Sequence, residues 1–176
     1  LRSKSLDRNS YDSGDWFNRI DWSYRDNGYA AGLPPQGDNG GNWSVMGPLL
    51  ANAGIKPTET ETRWTRDAFR DLMKIRASSR LFRLRTADEI KQRLTFRNTG
   101  SAQVAPVLAA HLDGNGYQGA GFREVLYFVN VDRIGQTLTI PEEAGKQYRL
   151  HPVHTAYDAA DRRAAAATYD SASGRF

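Results

Sequence analysis

The chain has 176 residues, of which 39% are hydrophobic and 25% charged, with no cysteine and a formal net charge of +4. This composition is typical of a globular protein, and the lack of cysteine excludes disulfides and thiolate metal sites. No apolar run approaches the roughly 20 residues of a membrane-spanning helix, and no apolar signal-peptide core follows Leu1. Because the chain does not begin with Met, we expect an excised segment of a longer protein.

Residues 1–62 are rich in Asn, Asp, Gly, Ser and aromatic side chains and have almost no apolar periodicity. Such a stretch has few ways to form a core of its own, so its large aromatic residues predict a long loop that packs on another surface. Within it, residues 43–51 predict one short helix, with Asn42 as its N-cap.

A longer amphipathic helix is predicted after Pro57. Thr58 and Glu61 have the spacing of a capping box. Apolar residues then recur at helical intervals: Trp64, Ala68, Phe69, Leu72, Met73 and Ile75. We therefore expect one face of this helix to be buried against a partner.

Beyond residue 88 the apolar periodicity falls to two, which predicts strands. Residues 90–97 alternate as in a half-exposed strand, and residues 122–131 are nearly continuously apolar, as expected for a central strand covered on both faces. Further strands are predicted at residues 104–112, 136–140, 147–150 and 165–169. The expected fold class is mainly β, an antiparallel β-sandwich preceded by an irregular loop segment and one or two helices.

The end of the chain predicts an unfinished hairpin. Residues 170–174 have the composition of a turn, and only Arg175 and Phe176 follow it. A hairpin without its second arm would leave an unpaired edge, so we expect the chain to be cut within this hairpin.

Three local patterns are similar to ligand sites but are interpreted structurally. Residues 114–119 have G-x-G-x-x-G spacing but lead into a strand instead of a helix, which predicts a hairpin turn. His151 and His154 have metal-ligand spacing, but Pro152 prevents a helix from continuing through this point and no third ligand lies nearby. Eleven basic and four acidic residues between 63 and 97 are typical of a solvated face, so no nucleic-acid partner is expected.

Residues 1–21 carry the strongest functional signal. Their density of Asp, Asn, Arg, Trp and Tyr is typical of carbohydrate recognition, because polar planar groups bind sugar hydroxyls and aromatic faces cover the C–H patches of sugars. A folded loop with satisfied polar groups has a similar composition, so both interpretations stay open on the residues alone.

The stretch RSKSLDRNSYDSGDWFNRIDW at 2–22 closely resembles the segment after the eighth barrel strand of pullulanases and limit dextrinases, in glycoside hydrolase family 13. GLPP at 32–35 fits the same loop. FRDLMKIRASSRLFRL at 69–84 resembles the last barrel helix and its exit, and LTFRNTG at 94–100 resembles the start of the C-terminal β domain. The resemblance covers essentially the whole chain. It implies that residues 1–84 end a catalytic (β/α)8 barrel and that residues 85–176 form an antiparallel β domain.

The resemblance implies a retaining hydrolase of α-1,6-glucosidic linkages in pullulan, glycogen or starch dextrins. The family's Asp nucleophile, Glu acid/base and third Asp precede Leu1 in the family's order, and no carboxylate here matches them. We therefore expect no catalytic residue and no hydrolysis by this chain alone. No cofactor is expected either, although the family suggests Ca²⁺ in the intact enzyme. The family also suggests a secreted, cell-surface or periplasmic location in preference to the cytoplasm.

In the intact enzyme, the loop after the eighth strand would line the cleft, because barrel active sites lie at the C-terminal ends of the strands. The resemblance assigns contacts with glucose units of an α-glucan to four residues: Asp15, Trp16, Asn18 and Arg19. Pairing of Arg19 with a carboxylate is the structural alternative, and Phe17 and Trp22 are assigned to packing. The β domain is expected to pack on the barrel and stabilise it.

A carbohydrate-binding module is the alternative from another class. Such modules usually expose aromatic platforms on their sheet. The predicted sheet has no Trp, but five tyrosines could serve: Tyr117, Tyr127, Tyr148, Tyr157 and Tyr169.

Overall fold

The computed structural model describes residues 4–9, 11, 18–26 and 28–176. The chain divides into two compact units, Leu1–Asp67 and Ala68–Phe176. No helix in the described ranges is both long and apolar enough to cross a membrane.

The first unit is irregular, with short helices in its second half. Helix α1 covers Gln36–Asn39, and α2 covers Trp43–Ala51, as the sequence predicts. Asn42 occupies the N-cap position, as predicted, but its side chain makes no capping hydrogen bond. Instead, the Trp43 indole donates to the carbonyl of Pro34 at 3.0 Å, which ties the start of α2 to the preceding loop.

Helix α3 covers Glu59–Ser78 and begins at the predicted capping box. The Thr58 N–H donates to Glu61 Oε2 at 2.8 Å, and the Glu61 N–H donates to Thr58 Oγ1 at 3.2 Å. The apolar face that was expected to be buried is open in the described part of the chain. Phe69 is 63% exposed and Leu72 61%.

The prediction of one strand over residues 90–97 is wrong. Helix α4 covers Ala87–Arg93, and strand β1 covers only Leu94–Phe96. A second capping box causes the difference. The Glu89 N–H donates to Thr86 Oγ1 at 3.1 Å while the Glu89 carboxylate accepts from the Thr86 N–H, so a helix begins where alternation alone favours a strand.

One three-stranded antiparallel sheet, in the order β1-β2-β3, forms the centre of the second unit. Strand β2 covers Val107–Asp113 and β3 covers Glu124–Asn130. Leu94 pairs with Leu112, and Val107 pairs with Asn130. The prediction of an antiparallel β domain is confirmed at this level. The central strand is β2, however, and the apolar segment 122–131 supplies β3 at one side of it.

The turn between β2 and β3 contains the glycine motif at 114–119, which confirms the hairpin interpretation. The Gly114 N–H donates to the carbonyl of Arg123 at 2.9 Å. A Cβ at position 114 would lie 2.2 Å from the carbonyl oxygen of Phe122, so this position requires glycine because the two arms approach closely.

Three shorter predicted strands are not strands in the structure. Residues 147–150 lie outside regular structure, and Arg163–Ala166 forms a 3-10 turn that overlaps the start of the strand predicted at 165–169. Near residues 136–140, Thr139 and Arg175 form an isolated antiparallel bridge. The predicted turn is confirmed, because Asp170 also pairs with Arg175 across it.

The His151–His154 segment also differs from the expectation that Pro152 keeps it from being helical. Residues Pro152–Thr155 form the short helix α5, because Pro152 occupies its first position, where its missing N–H has no intrahelical partner to lose. His151 Nδ1 caps this helix by accepting from the Val153 N–H at 3.2 Å.

Two apolar clusters pack against the sheet. The first joins Val107 and Ala109 of β2 to Leu138 and Ile140. The second joins Leu112 to two residues outside the sheet, Leu81 and Ala120. The two clusters place β2 at the core of the second unit.

Candidate substrate-binding loop and a buried ionic cluster

A buried polar pair holds the beginning of the described chain. Asn39 Nδ2 donates to Asp7 Oδ1 at 2.9 Å, and the same amide donates to the carbonyl of Pro35 at 3.0 Å. Asn39 Oδ1 accepts from the Arg8 N–H at 3.1 Å. Asp7 and Asn39 are essentially fully buried. Sequence reasoning missed this pair, since 32 residues separate the two side chains.

A second carboxylate reinforces the same contact at the surface. Arg8 Nη2 donates to Asp38 Oδ1 at 3.0 Å, and Asn9 Nδ2 donates to Asp38 Oδ2 at 3.4 Å. The Arg8 bond and the Asn9 bond together lower the pKa of Asp38. The short helix α1 thus presents two adjacent residues, Asp38 and Asn39, that fasten residues 7–9.

Asn18 and Arg19 lie close to Lys4 and are both exposed. Asn18 Oδ1 accepts from the Lys4 N–H at 3.3 Å, and the Arg19 carbonyl accepts from Lys4 Nζ at 2.7 Å. The charge of Arg19 contributes to lowering the pKa of Asp26, after the Gly28 N–H and Lys56. Asp15 and Trp16, also predicted to contact glucose, lie outside the described residues, as does Phe17.

Asp21 organises the turn that follows. Its carboxylate accepts from the Ser23 N–H at 2.9 Å, from Ser23 Oγ at 2.7 Å and from the Asp26 N–H at 2.8 Å. These bonds, led by that of Asp26, lower the pKa of Asp21 to about 2. Asp21 is therefore an ionised structural acceptor, committed to its own turn.

Among the described residues of this region, three other than glycine have a positive φ, namely 64° at Leu6, 63° at Tyr24 and 63° at Ala30. A left-handed conformation costs roughly 1–2 kcal/mol for a residue with a side chain. Such strain concentrates where the surrounding contacts fix a loop for a function.

Two aromatic side chains in the described part of residues 11–22 are exposed. Tyr11 is fully exposed and Trp22 is 77% exposed. The described residues do not cover Trp22, so its assignment to packing stays a prediction for the intact enzyme. Tyr24 is instead covered by two guanidinium groups, those of Arg63 at 4.6 Å and Arg66 at 5.0 Å from its ring centre.

The second unit contains an ionic cluster, which we define as Arg97, His111, Glu124, Glu143, Lys146 and Tyr148. Lys146 Nζ lies 2.7 Å from Glu124 Oε2 and 2.6 Å from Glu143 Oε2. Arg97 Nε reaches Glu143 Oε1 at 2.6 Å, and the Glu143 side chain is fully buried. His111 Nε2 lies 2.7 Å from Glu124 Oε2. Strands β2 and β3 place His111 and Glu124 near each other across the ladder.

The cluster shifts the pKa values of its members. Burial raises the pKa of Glu143, but hydrogen bonds from Lys146, Tyr148 and Arg97 outweigh it and lower that pKa to about 2. Burial lowers the pKa of Lys146, but Glu124 and Glu143 raise it on balance. Burial and the bond to Glu143 together raise the pKa of Tyr148. Glu143 and Lys146 are therefore both charged at neutral pH, whereas Tyr148 is a neutral phenol.

Ligand atoms of His111, Glu124 and Glu143 lie within 4.8 Å of one another, a spacing that a metal ion could bridge. This donor set does not fit calcium, which prefers six to eight oxygen ligands. The Lys146 ammonium group already lies between the two carboxylates and neutralises their charge. The cluster therefore contains its own cation.

Most tyrosines that a binding platform would need are covered. Tyr148 and Tyr169 pack edge to face at 5.3 Å, and Tyr169 stacks on Phe176 at 4.5 Å. Tyr127 packs on the second apolar cluster, and the ring of Tyr117 is covered by a guanidinium group. Tyr157, at 92% exposure, is the open one of the five.

Comparison with known proteins finds a matching family along most of the chain. The family described as alpha-1,6-glucosidases, pullulanase-type, C-terminal, matches residues 24–176. Over the full length of this chain, the sequence is 38% identical to the chloroplastic pullulanase 1 of Arabidopsis thaliana. Over 87% of this chain, it is 37% identical to the pullulanase of Klebsiella pneumoniae. It covers 19% and 14% of those two proteins.

Solved structures give the same result. A maltotriose complex of PulA from Klebsiella pneumoniae matches 88% of this chain with a TM-score of 0.74 and 33% identity. The chain covers 17% of that structure, so it spans less than a fifth of the length of these relatives. The chain belongs to the family of C-terminal regions of pullulanase-type α-1,6-glucosidases.

Proposed function

We propose that this chain is part of a starch-debranching enzyme that hydrolyses α-1,6-glucosidic linkages in pullulan, glycogen or starch dextrins. The observation that carries the proposal is the match to the pullulanase family over residues 24–176, together with 38% identity to a pullulanase over the whole chain. The chain covers only a small part of these relatives, so the activity belongs to the intact enzyme.

In this proposal, Asn18 and Arg19 line the substrate cleft and contact glucose units, together with Asp15 and Trp16. The exposure of Asn18 and Arg19 supports it, as do the open aromatic ring of Trp22 and the buried Asp7–Asn39 pair that fixes the same region. An amide and a guanidinium group are suited to sugar hydroxyls, because each offers several donors in one plane. Their role would be to bind and orient the glucan.

Residues 1–84 would complete a catalytic barrel in the intact enzyme. The open apolar face of α3 supports this part, because Phe69 and Leu72 are more than 60% exposed and a helix with such a stripe normally buries it. Burial of a large apolar side chain contributes roughly 1.5–3 kcal/mol, so this face would stabilise the packing of the helix in the barrel.

Residues 85–176 would form a β-sandwich on that barrel. Leu138 and Phe176 exchange backbone hydrogen bonds of 3.1 and 2.8 Å, and the Ile140 N–H donates to the carbonyl of Gly174 at 2.9 Å. Leu138 and Ile140 pack on β2 in the first apolar cluster. These paired segments support a second layer over the three-stranded sheet.

Reducing-sugar release from pullulan tests the proposal. The intact enzyme and the 176-residue chain would be assayed side by side at equal molar concentration. We expect hydrolysis by the intact enzyme and none by the chain, because no residue of the chain matches the family's three catalytic carboxylates. Because pullulan contains both α-1,4 and α-1,6 linkages, chromatography of the products would identify the linkage that is cut. An intact enzyme that cleaves α-1,4 but not α-1,6 linkages would contradict the debranching function. Hydrolysis by the chain alone would contradict the expectation that the catalytic residues lie outside it.

A further inference from the structure

Three arginines of the second unit line one pocket. A cavity of about 570 Å³ is bounded by six residues: Arg80, Arg83, Arg85, Glu89, Tyr117 and Gln118. Its size lies within the range of about 300–1,000 Å³ that is usual for small-molecule sites. We refer to it as the arginine pocket. It contains three of the basic residues that the sequence pattern suggested were an ordinary solvated face.

Local backbone structure brings the arginines together. Arg80 and Arg83 begin and end a 3-10 turn, in which side chains three residues apart lie on the same side. Leu81 is fully buried and Leu84 packs on the same apolar cluster, whereas the three neighbouring arginines are exposed.

The adjoining hairpin fixes one wall of the pocket. The Arg80 N–H donates to the carbonyl of Gly119 at 3.0 Å. A Cβ at position 119 would lie 2.6 Å from Arg80 Cδ, so the glycine lets the arginine stem lie against the backbone. The Ser79 hydroxyl also donates to the carbonyl of Ala120. The stem of Arg80 is therefore held in place by the fold.

The positive charge of the pocket is not neutralised within the described residues. None of the guanidinium groups of Arg80, Arg83 and Arg85 forms an ion pair there. The single carboxylate of the lining, Glu89, accepts from the N–H groups of Arg85 and Thr86 at 2.7 and 3.3 Å. Three cations and one anion leave a net charge of +2. Mutual repulsion of the three cations would be relieved by a bound anion.

We propose that the arginine pocket binds a phosphate monoester carried on a glucose unit. A guanidinium group can donate two parallel N–H bonds to phosphate oxygens. Three guanidinium groups therefore suit a phosphate dianion better than they suit the single charge of a carboxylate ligand. The amide of Gln118 and the phenol of Tyr117 provide neutral groups for sugar hydroxyls beside the charge. The sugar part of this assignment rests on the proposed function, whereas the phosphate part rests on the arginines alone.

Isothermal titration of the intact enzyme tests the pocket. The probes are glucose 6-phosphate, a maltooligosaccharide with one phosphate monoester, inorganic phosphate and glucose. Glucose 6-phosphate is expected to bind at least tenfold more tightly than either glucose or inorganic phosphate, and more weakly as salt is raised. Tighter binding of the phosphorylated oligosaccharide would identify the glucan chain as the source of the phosphate, and equal binding would identify a free sugar phosphate.

Arginine variants test whether glucose 6-phosphate binds in the arginine pocket. Arg83→Gln and the double variant Arg80→Gln/Arg83→Gln are each expected to weaken binding of glucose 6-phosphate at least tenfold. The exposed Arg149→Gln serves as the matched control and is expected to change it less than twofold. Equal affinity of Arg83→Gln and the native protein, or glucose 6-phosphate binding no tighter than glucose, would overturn the proposal. Pullulan hydrolysis measured in the same preparations tests the debranching function separately.

Discussion

Asn39 and Asp7 form a buried hydrogen bond of 2.9 Å between the amide of one and the carboxylate of the other. The bond connects α1 to a segment 32 residues earlier in the chain. Since Asn39 also binds the Pro35 carbonyl and the Arg8 N–H, one side chain fixes three points of the loop that carries the proposed glucose contacts.

Replacing Asn39 should loosen this loop. Asn39→Ala leaves the buried Asp7 carboxylate without its amide donor, which costs about 1–3 kcal/mol in the free energy of unfolding. Urea unfolding followed by Trp fluorescence would measure the loss. Asn42→Ala is the control, because Asn42 is exposed and caps nothing. A loss no greater for Asn39→Ala than for Asn42→Ala would contradict this role.

Two glycines of the β2–β3 hairpin should differ sharply in their tolerance of alanine. A Cβ at Gly114 would lie 2.2 Å from a carbonyl oxygen, whereas a Cβ at Gly116 meets nothing within 4 Å. Gly116→Ala should cost about 1–2 kcal/mol, since only its positive φ disfavours a side chain. Gly114→Ala should cost clearly more, because backbone must move. Thermal unfolding of both variants checks the order, and equal melting temperatures would refute it.

Acid should weaken the second unit through Glu143. Its pKa of about 2 in the folded chain lies below the ordinary value of 4.5, so its contribution is complete above pH 4.5 and is lost as pH falls toward 2. The Glu143→Gln variant has no ionisable side chain at this position. The difference in free energy of unfolding between the native chain and Glu143→Gln should therefore narrow by about 2 kcal/mol between about pH 5 and pH 3.

Urea unfolding at several pH values measures this difference. Glu124 is present in both proteins, with its pKa also lowered because the bonds from Lys146 and His111 outweigh its burial, so most of its own titration cancels in the comparison. A difference that stays constant over this range of pH would rule out the depressed pKa.

Lys146 should be more important for stability than an exposed lysine. Lys146→Met removes the cation shared by Glu124 and Glu143, so a buried carboxylate loses its nearest ammonium group. A loss of about 3 kcal/mol is expected, near the lower bound for a broken buried pair, since Lys146 is partly exposed. Lys91→Met is the matched control on the exposed side of α4. Equal stability of the two variants would show that the cluster contributes little.

Local signals in the sequence predicted the local elements well. The bounds of α2 and the capping box of α3 follow from residues that are close in sequence, and the hairpin at 114–119 follows from its glycines. The strand predicted at 90–97 failed because alternation and a capping box compete there, and Thr86 with Glu89 decides for the helix.

Long-range relationships could not be predicted in this way. The ionic cluster joins Arg97, His111, Glu124 and Glu143, which are distributed over more than 40 residues and share no motif. The hydrogen bond between Asp7 and Asn39 likewise depends on how the chain folds, which the periodicity of the sequence does not predict. The pattern of basic residues gave no hint that three arginines would line one pocket, because a 3-10 turn and not an extended helix arranges Arg80 and Arg83, and Arg85 follows the turn.

The kinetics of loop variants on pullulan test the central claim most directly. In the intact enzyme, Asn18→Ala and Arg19→Ala would be compared with Asn42→Ala and Arg25→Ala, which are exposed residues of the same types. If the loop binds glucan, the first two should each lower kcat/KM about 10-fold or more, as the loss of a hydrogen bond of about 1.5 kcal/mol requires. The two controls should stay within twofold of the native enzyme. Unchanged kcat/KM in both Asn18→Ala and Arg19→Ala would contradict the assignment of this loop to the substrate cleft.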